Sequence, residues 1–409
     1  MTTLQVGTRA PGPFAAFRIR HFGFVWFSGL VWHMCRWGVA FLGTYLINDM
    51  TGSPRLVQLA GTTLYAPLLV GGILGGVVSD RWDRLATVRM QMVLLVPLSI
   101  GIGLLVRAEA ISVGIIYAFM FVVGLGWVSD MTSRRALILD LVGSDGLDKA
   151  MAMESLSLST GMVLGAVLGG YAVDALGIAS SYMLVGGLSF VGFLALVPVT
   201  TPPKLQRSSS DSPLRDLAEG LAVIRRNRSV LSILGITMIA NFFMFSFFPI
   251  VPALADELGA EPFFVGLLAG GTGIGMMTGS LLFARWTPGR RGLVYVGGVA
   301  LGMVFLVPFG LAGIYGLALA AVIGTGIGAG FFGSTQSTLV MEAVSDEMRG
   351  RALGLLSMAI GALPVGMYAL GELAEWVGVG EAIATSACCG GLAMALWLRR
   401  HPEVLALSG

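Results

Sequence analysis

The sequence predicts an all-α membrane protein, with twelve transmembrane helices arranged as two six-helix, pseudo-symmetric halves. Three observations carry that prediction. Hydrophobic residues make up 56% of the chain and charged residues 12%, where soluble domains carry about 25% charged residues; the mean hydropathy is +0.85. A soluble protein of 409 residues would need polar surface that this chain lacks. Apolar runs long enough for a bilayer core of about 30 Å, roughly 20 helical residues each, recur along the chain. The lysines and arginines then fall almost wholly on one side of those runs, which is the pattern of a cytoplasmic face.

In order, the runs are 22–48, 56–79, 90–107, 112–139, 150–173, 179–199, 230–254, 262–284, 292–311, 313–340, 351–376 and 380–398. They divide the chain into a cytoplasmic N-terminus (1–21), a first six-helix half (22–199), a cytoplasmic linker (200–229), a second half (230–398) and a cytoplasmic tail (399–409). With the N-terminus inside, only Arg55 and Arg107 lie at the outer ends and Arg36 lies within a span; the other basic residues gather on the cytoplasmic side. The expected location is a bacterial-type cytoplasmic (inner) membrane, with both termini cytoplasmic. Residues 1–20 show no short apolar core before a small-residue cleavage site, so the first span is expected to be retained rather than cleaved.

The linker holds Ser208 to Ser210 and the basic cluster Arg225, Arg226 and Arg228. Helical spacing from Pro213 to Arg226 suggests a segment lying along the cytoplasmic surface, after a flexible stretch over 206–212. The cluster reads as a topology anchor, with phosphate or lipid binding as the alternative. An internal repeat supports the two halves. At an offset of about 202 residues, Leu137–Ser155 lies over Leu339–Ser357, pairing Asp140 with Glu342, Asp145 with Glu347 and Lys149 with Arg351. A weaker copy at a slightly larger offset places Arg81–Trp82 over Arg285–Trp286.

Between the second and third spans stands a knot of charge, Gly76, Asp80, Arg81, Trp82, Asp83 and Arg84. It resembles the loop between helices 2 and 3 of the major facilitator superfamily: Gly, three residues, Asp, Arg, any residue, Gly, Arg, then a basic residue. Here Asp83 takes the second glycine's place and Leu85 the basic one. The Asp-Arg-x-Asp-Arg form is similar to the exporter branch that includes siderophore and macrolide efflux proteins. The resemblance implies that Asp80 accepts from backbone N–H groups at the start of helix 11, near Arg349–Gly350, where the helix dipole favours an anion. It implies that Arg84 pairs with an acidic residue at the end of helix 4, for which Asp140 is the choice. Gly76, Asp80, Arg81, Arg84 and Asp140 would then form a cytoplasmic gate; a solvated turn is the plainer alternative.

Helix 5 carries Gly161, Gly165, Gly169 and Gly170. Glycines at i, i+4 and i+8 let another helix approach closely. The run resembles the antiporter motif of drug–proton exchangers, with Ala166 in the proline position; glycine-mediated packing is the bland reading.

Helix 1 holds His33, Arg36 and Trp37, where the resembling branch often has an acidic residue instead of Arg36. Arg36 lies about 21 Å along the helix at about 1.5 Å per residue. An arginine at bilayer depth costs on the order of 2.5–3.5 kcal/mol on insertion scales, so it should face protein or water. Facing a central cavity, it favours an anionic or zwitterionic substrate; otherwise it is a structural or snorkelling arginine. Tyr65 on helix 2, with Asn241 and Phe245 in the aromatic stretch of helix 7, complete the candidate substrate residues. Proton coupling needs a group whose pKa answers to burial and neighbours. His33, Asp130 and Glu154 are the candidates, although Asp130 and Arg134 at i, i+4 can simply neutralise each other.

No catalytic constellation, Walker loop or metal-ligand spacing appears, and Cys35, Cys388 and Cys389 all lie in apolar runs. No cofactor, enzyme activity or nucleic-acid partner is implied. The resemblance thus points to a monomeric secondary transporter in the lipid bilayer. It would export an amphipathic, anionic small molecule by alternating access in exchange for protons. The alternatives are a proton symporter, a mover of lipid-like substrates, and a non-transporting receptor or scaffold.

Overall fold

The computed structural model describes residues 13–69, 83–200, 227–285, 289–345 and 348–407. Gly76, Asp80 and Arg81 of the charged loop, and linker residues 201–226 with their expected surface helix, lie outside the described residues.

Among the described residues there are twelve helical segments, in addition to short 3₁₀ turns, and no strand. They are α1 (Phe22–Thr51), α2 (Pro54–Tyr65), α3 (Arg84–Arg107), α4 (Val113–Gly143), α5 (Lys149–Leu176) and α6 (Ile178–Leu196). Then follow α7 (Arg228–Glu257), α8 (Pro262–Arg285), α9 (Arg291–Gly310), α10 (Tyr315–Glu342), α11 (Arg349–Ile360 and Ala362–Val377) and α12 (Val379–Arg400). Ten of these, α3 to α12, are long and apolar enough to cross a membrane. Helix α1 has 30 residues, but its His33, Arg36, serine and glycines dilute its hydropathy. It can carry them because His33 and Arg36 are buried in protein, whereas its Phe24 and Phe27, like Leu104, Leu281, Val304 and Leu392 on other helices, point outward.

Local chemistry sets the helix ends. Ser53 accepts from Leu56 N–H with Pro54 at the first helical position, and Asp83 accepts from Ala86 N–H at the start of α3. Asn227 caps α7 and also donates to the carbonyl of Ala343 at 2.8 Å. Gly143 adopts φ 68°, a left-handed conformation open to glycine, and breaks what would otherwise be one helix from Val113 to Leu176. Helix α3 starts earlier, and α4 runs further, than the apolar runs suggest, because their charged ends remain helical. Helix α7 is interrupted by a π turn at Ala240–Met244 and a 3₁₀ turn at Phe248–Ile250, beside Pro249 and Pro252.

Helices α1 to α6 pack mainly among themselves, as do α7 to α12. The two sets meet where glycine removes the side-chain barrier. Gly61 of α2 receives Pro249 of α7, Gly371 of α11 receives Gln58, and Gly170 of α5 lies against Gly266 of α8. These contacts gather in the half of the bundle opposite the arginine-rich ends. There the sets are also tied by Arg55–Glu372 at 3.1 Å, Ser53 to Glu375 at 3.1 Å, and Gln58 to the Ser246 carbonyl at 3.0 Å.

Candidate functional site: a buried charge cluster beside a small apolar cavity

Five helices of the first set bring polar side chains to one interior region. Arg36 on α1 is only 1% exposed. Its guanidinium carbon sits 4.3 Å from the Trp37 ring and 4.2 Å from the Trp127 ring of α4, an arrangement that favours a desolvated cation. The Tyr65 hydroxyl of α2 interacts with it, and the Tyr65 ring packs edge-on to Trp127 at 5.2 Å. Arg36 Nε and Nη1 are buried without a hydrogen-bond partner, and no described carboxylate contacts the guanidinium.

One turn back on α1, the buried His33 Nε2 lies 3.0 Å from Glu154 Oε1 of α5. The adjacent pair is Asp130 and Arg134 of α4, with Arg134 Nε donating to both carboxylate oxygens at 2.9 and 3.1 Å. Gln91 of α3 donates to the same Asp130, and Arg134 Nη1 reaches the Val25 carbonyl at 3.2 Å. Gly29 makes the junction possible: a Cβ there would stand 3.2 Å from Glu154 Oε2 and 3.3 Å from Arg134 Nη1. The His33–Glu154 and Arg134–Asp130 pairs therefore form one buried polar cluster, in which each carboxylate has its own partner.

Trp37 and Tyr65 also line a cavity of about 40 Å³ between the two helix sets, together with Phe41, Met120, Met162 and Phe248. A water needs about 10–15 Å³ by this measure, so the space holds a few waters and no larger ligand. Its wall is apolar, mixing aromatic, thioether and aliphatic side chains with Thr44. Asn241 and Phe245 do not line it. The Asn241 amide folds back onto the Thr237 carbonyl one turn earlier, next to a neutral network of Thr237, Tyr295 and Gln336, and Phe245 packs on Phe248 and Phe332. The π turn at 240–244 sets those directions, and helical periodicity alone does not reveal it.

The helix 5 glycines are packing positions on both sides. A Cβ at Gly161 would fall 2.5 Å from His33 Cβ, at Gly165 2.4 Å from the Met34 carbonyl, at Gly169 2.9 Å from the Phe41 ring, and at Gly170 2.5 Å from the Pro262 carbonyl. Three of them thus seat α1, with its His33 and Trp37, and the fourth seats α8.

At the arginine-rich end, Arg84 Nη1 meets both oxygens of Asp140 at 2.6 and 2.7 Å. Arg291 at the start of α9 pairs with one carboxylate oxygen of Glu342 at the end of α10. The repeat identified the two acids as equivalent but not the two arginines, because the arginine stands 56 residues before its acid in the first half and 51 in the second. Both pairs lie within one helix set, so neither bridges the sets. The part of the expected gate that would reach α11 rests on Asp80.

The chain matches the family model described as transmembrane secretion effector over residues 11–405. It belongs to that family. The match spans almost the whole chain and makes it a membrane transporter of the major facilitator type, not an enzyme. Among curated proteins, this family member is 29% identical to the enterobactin exporter EntS of Citrobacter koseri over 324 residues, 76% of this chain and 74% of that protein. It is 22% identical to macrolide efflux protein A of Streptococcus pyogenes over 353 residues, 82% of this chain and 84% of that one. Solved transporters share its fold. A POT family transporter in complex with 5-aminolevulinic acid gives a TM-score of 0.76 at 12% identity, covering 96% of this chain and 98% of that one. A D-xylose–proton symporter gives 0.72 at 16% identity, covering 95% and 99%.

The sequence had singled out His33, Arg36, Trp37 and Tyr65, together with Asp130 and Glu154, and the fold brings these six together. Trp127 and Gln91 were missed. Trp127 stands three residues before Asp130, on the same helical face, and that spacing was the available signal.

Proposed function

We propose that this transporter exports an amphipathic, anionic small molecule across the cytoplasmic membrane by alternating access, in exchange for protons. The arginine-rich ends face the cytoplasm under this reading. The observation that carries it is Arg36: a buried cation with unpartnered N–H groups, packed against Trp37 and Tyr65, which line the cavity between the helix sets. Exporter relatives support the direction. The ties at Arg55–Glu372 and Ser53–Glu375 support a state shut on the outer side. The His33–Glu154 pair is the proposed proton site, because it is buried and each partner keeps one polar atom free, Nδ1 and Oε2. Asp130 is held by two donors and serves better as a fixed counter-charge.

The charge count favours a second reading, proton symport. With His33 neutral, Arg36 and Arg134 balance Asp130 and Glu154. Adding a proton to the His33–Glu154 pair leaves the cluster one charge positive, which attracts an anion rather than expelling it.

Reconstituted vesicles decide between these readings. Uptake of a fluorescent amphipathic carboxylate into inside-out vesicles, driven by an acidic interior, is the outcome expected for antiport. Uptake that instead requires an acidic exterior establishes symport. Binding without any gradient-driven accumulation in either orientation supports the receptor reading and removes the proposal.

A further inference from the structure

We propose that a groove between α3 and α4, on the arginine-rich side of the bundle, binds one acyl chain of a bilayer phospholipid. The site goes beyond the transport reading and requires only that the chain span a membrane.

Size and place come first. The groove holds about 340 Å³ against about 40 Å³ for the cavity between the helix sets, and the two share no lining residue. Its lining comes from α3 and α4, with Trp32 of α1. Met90, Leu94, Val122 and Leu125 of this lining are exposed, whereas Trp32, Gln91, Leu95 and Val123 are buried. Both α3 and α4 are long and apolar enough to cross a membrane, so the exposed rim meets lipid hydrocarbon. On α3 the lining runs from Thr87 to Leu98, roughly 16 Å at about 1.5 Å per residue. That is about the depth of one leaflet in a hydrocarbon core of roughly 30 Å. Thr87 lies in the first turn of α3, next to Arg84, so the leaflet is the one on the arginine-rich side.

Chemistry then selects hydrocarbon over water or a polar ligand. The Thr87 and Ser129 hydroxyls donate to the carbonyls of Asp83 and Leu125 in their own helices, and the Gln91 amide donates to Asp130. Gln91 Oε1 and Trp32 Nε1 have no partner, but both atoms are buried. A water in a cavity needs several polar partners, and apolar cavities stay dry. An acyl chain needs none, and it supplies the dispersion contacts that an unfilled groove would forfeit. The arginines at this end of α3 are already engaged, Arg84 with Asp140 and Arg89 with the carbonyls of Leu196, Val197 and Val199. The site therefore reads the chain and not the headgroup. Its inner wall also touches the buried cluster. A Cβ on Gly126 would stand 3.2 Å from Trp32 Cη2 and 4.0 Å from Gln91 Cβ, so these side chains pack directly on α4. Gln91 in turn holds Asp130. A chain in the groove thus bears on a side chain that orients Asp130, and couples the bilayer to the polar cluster.

The test uses the full chain in phosphatidylcholine vesicles doped with a phosphatidylcholine that carries a diazirine midway along one acyl chain. After photolysis, mass spectrometry maps the labelled residues. The expected result is labelling of 87–98 and 122–129 at least fivefold above that at Leu281, Val304 and Leu392, which are more exposed. Val122→Trp and Ser129→Phe, which fill the groove at two levels, should each lower its labelling at least fivefold. Val304→Phe on α9 should leave it unchanged. Phosphatidylglycerol with the same diazirine chain should label the groove equally. The wild-type pattern decides even where a variant fails to fold. Labelling that simply follows exposure over the outer surface overturns the site. Strong preference for one headgroup overturns the assignment to the chain alone. A groove labelled by a diazirine-bearing naphthoate but not by phospholipid belongs to transported cargo instead, and crosslinks between two copies through the groove make it an oligomer interface; either result overturns the proposal.

Discussion

Replacing Gly165 by alanine tests the packing on which the site depends. An ideal Cβ at this position would lie 2.4 Å from the Met34 carbonyl oxygen, 2.8 Å from the Gly38 nitrogen and 2.8 Å from Trp37 Cβ. Ordinary contacts stand at 3.4–4 Å. The nearest two atoms are backbone, so no side chain can swing aside, and α1 must recede from α5 by roughly 1 Å. Overpacking of this kind typically costs about 1–3 kcal/mol. The gain in helix propensity from glycine to alanine, about 1 kcal/mol, offsets part of it. The net expectation is a loss of up to about 2 kcal/mol, with Trp37 and His33 displaced and transport reduced. Gly187→Ala is the control: it sits in α6 with nothing within 4 Å of the new methyl, so the propensity gain stands alone. Melting of the purified protein, followed by vesicle uptake, reads both variants. A Gly165→Ala protein as stable and as active as wild type, or a Gly187→Ala protein that loses more stability, would refute the close-approach reasoning.

Asp130→Ala should destabilise the protein by about 3–5 kcal/mol, because it leaves Arg134, 1% exposed, as a buried charge without its partner; Asp130→Asn should cost less, and the two melting temperatures check the order. Reversing either Arg84 or Asp140 should lower transport, and the double reversal should recover it; because the pair is partly exposed, the coupling in a double-mutant cycle should not exceed about 1 kcal/mol. Glu154→Gln, which keeps a hydrogen-bonding partner for His33 but cannot ionise, should flatten the pH dependence of uptake while preserving ligand binding measured by thermal shift at fixed pH.

The membrane class, the helix sequence, the basic face and the duplicated ends of helices 4 and 10 follow from composition, run length and charge placement. These are one-dimensional signals, because the bilayer imposes one length and one polarity pattern on every span. The sequence also exposed the anomalies: an arginine and a histidine inside α1, and an arginine followed by an acid across the α3–α4 ends. An ionisable group in an apolar run is conspicuous before its neighbours are known. What only the tertiary structure decided is which anomaly satisfies which. His33 reaches Glu154 across 121 positions of sequence, through the close contact that Gly161 allows. Arg36 takes two indoles in place of the carboxylate that periodicity could have assigned it. Asn241 turns away from the cavity because a π turn re-aims its helix. Such pairings depend on helix rotation and separation to within about an ångström. Lipid-facing and partner-facing surfaces are equally apolar in a membrane protein, so the hydrophobic pattern does not specify those rotations; side-chain packing does.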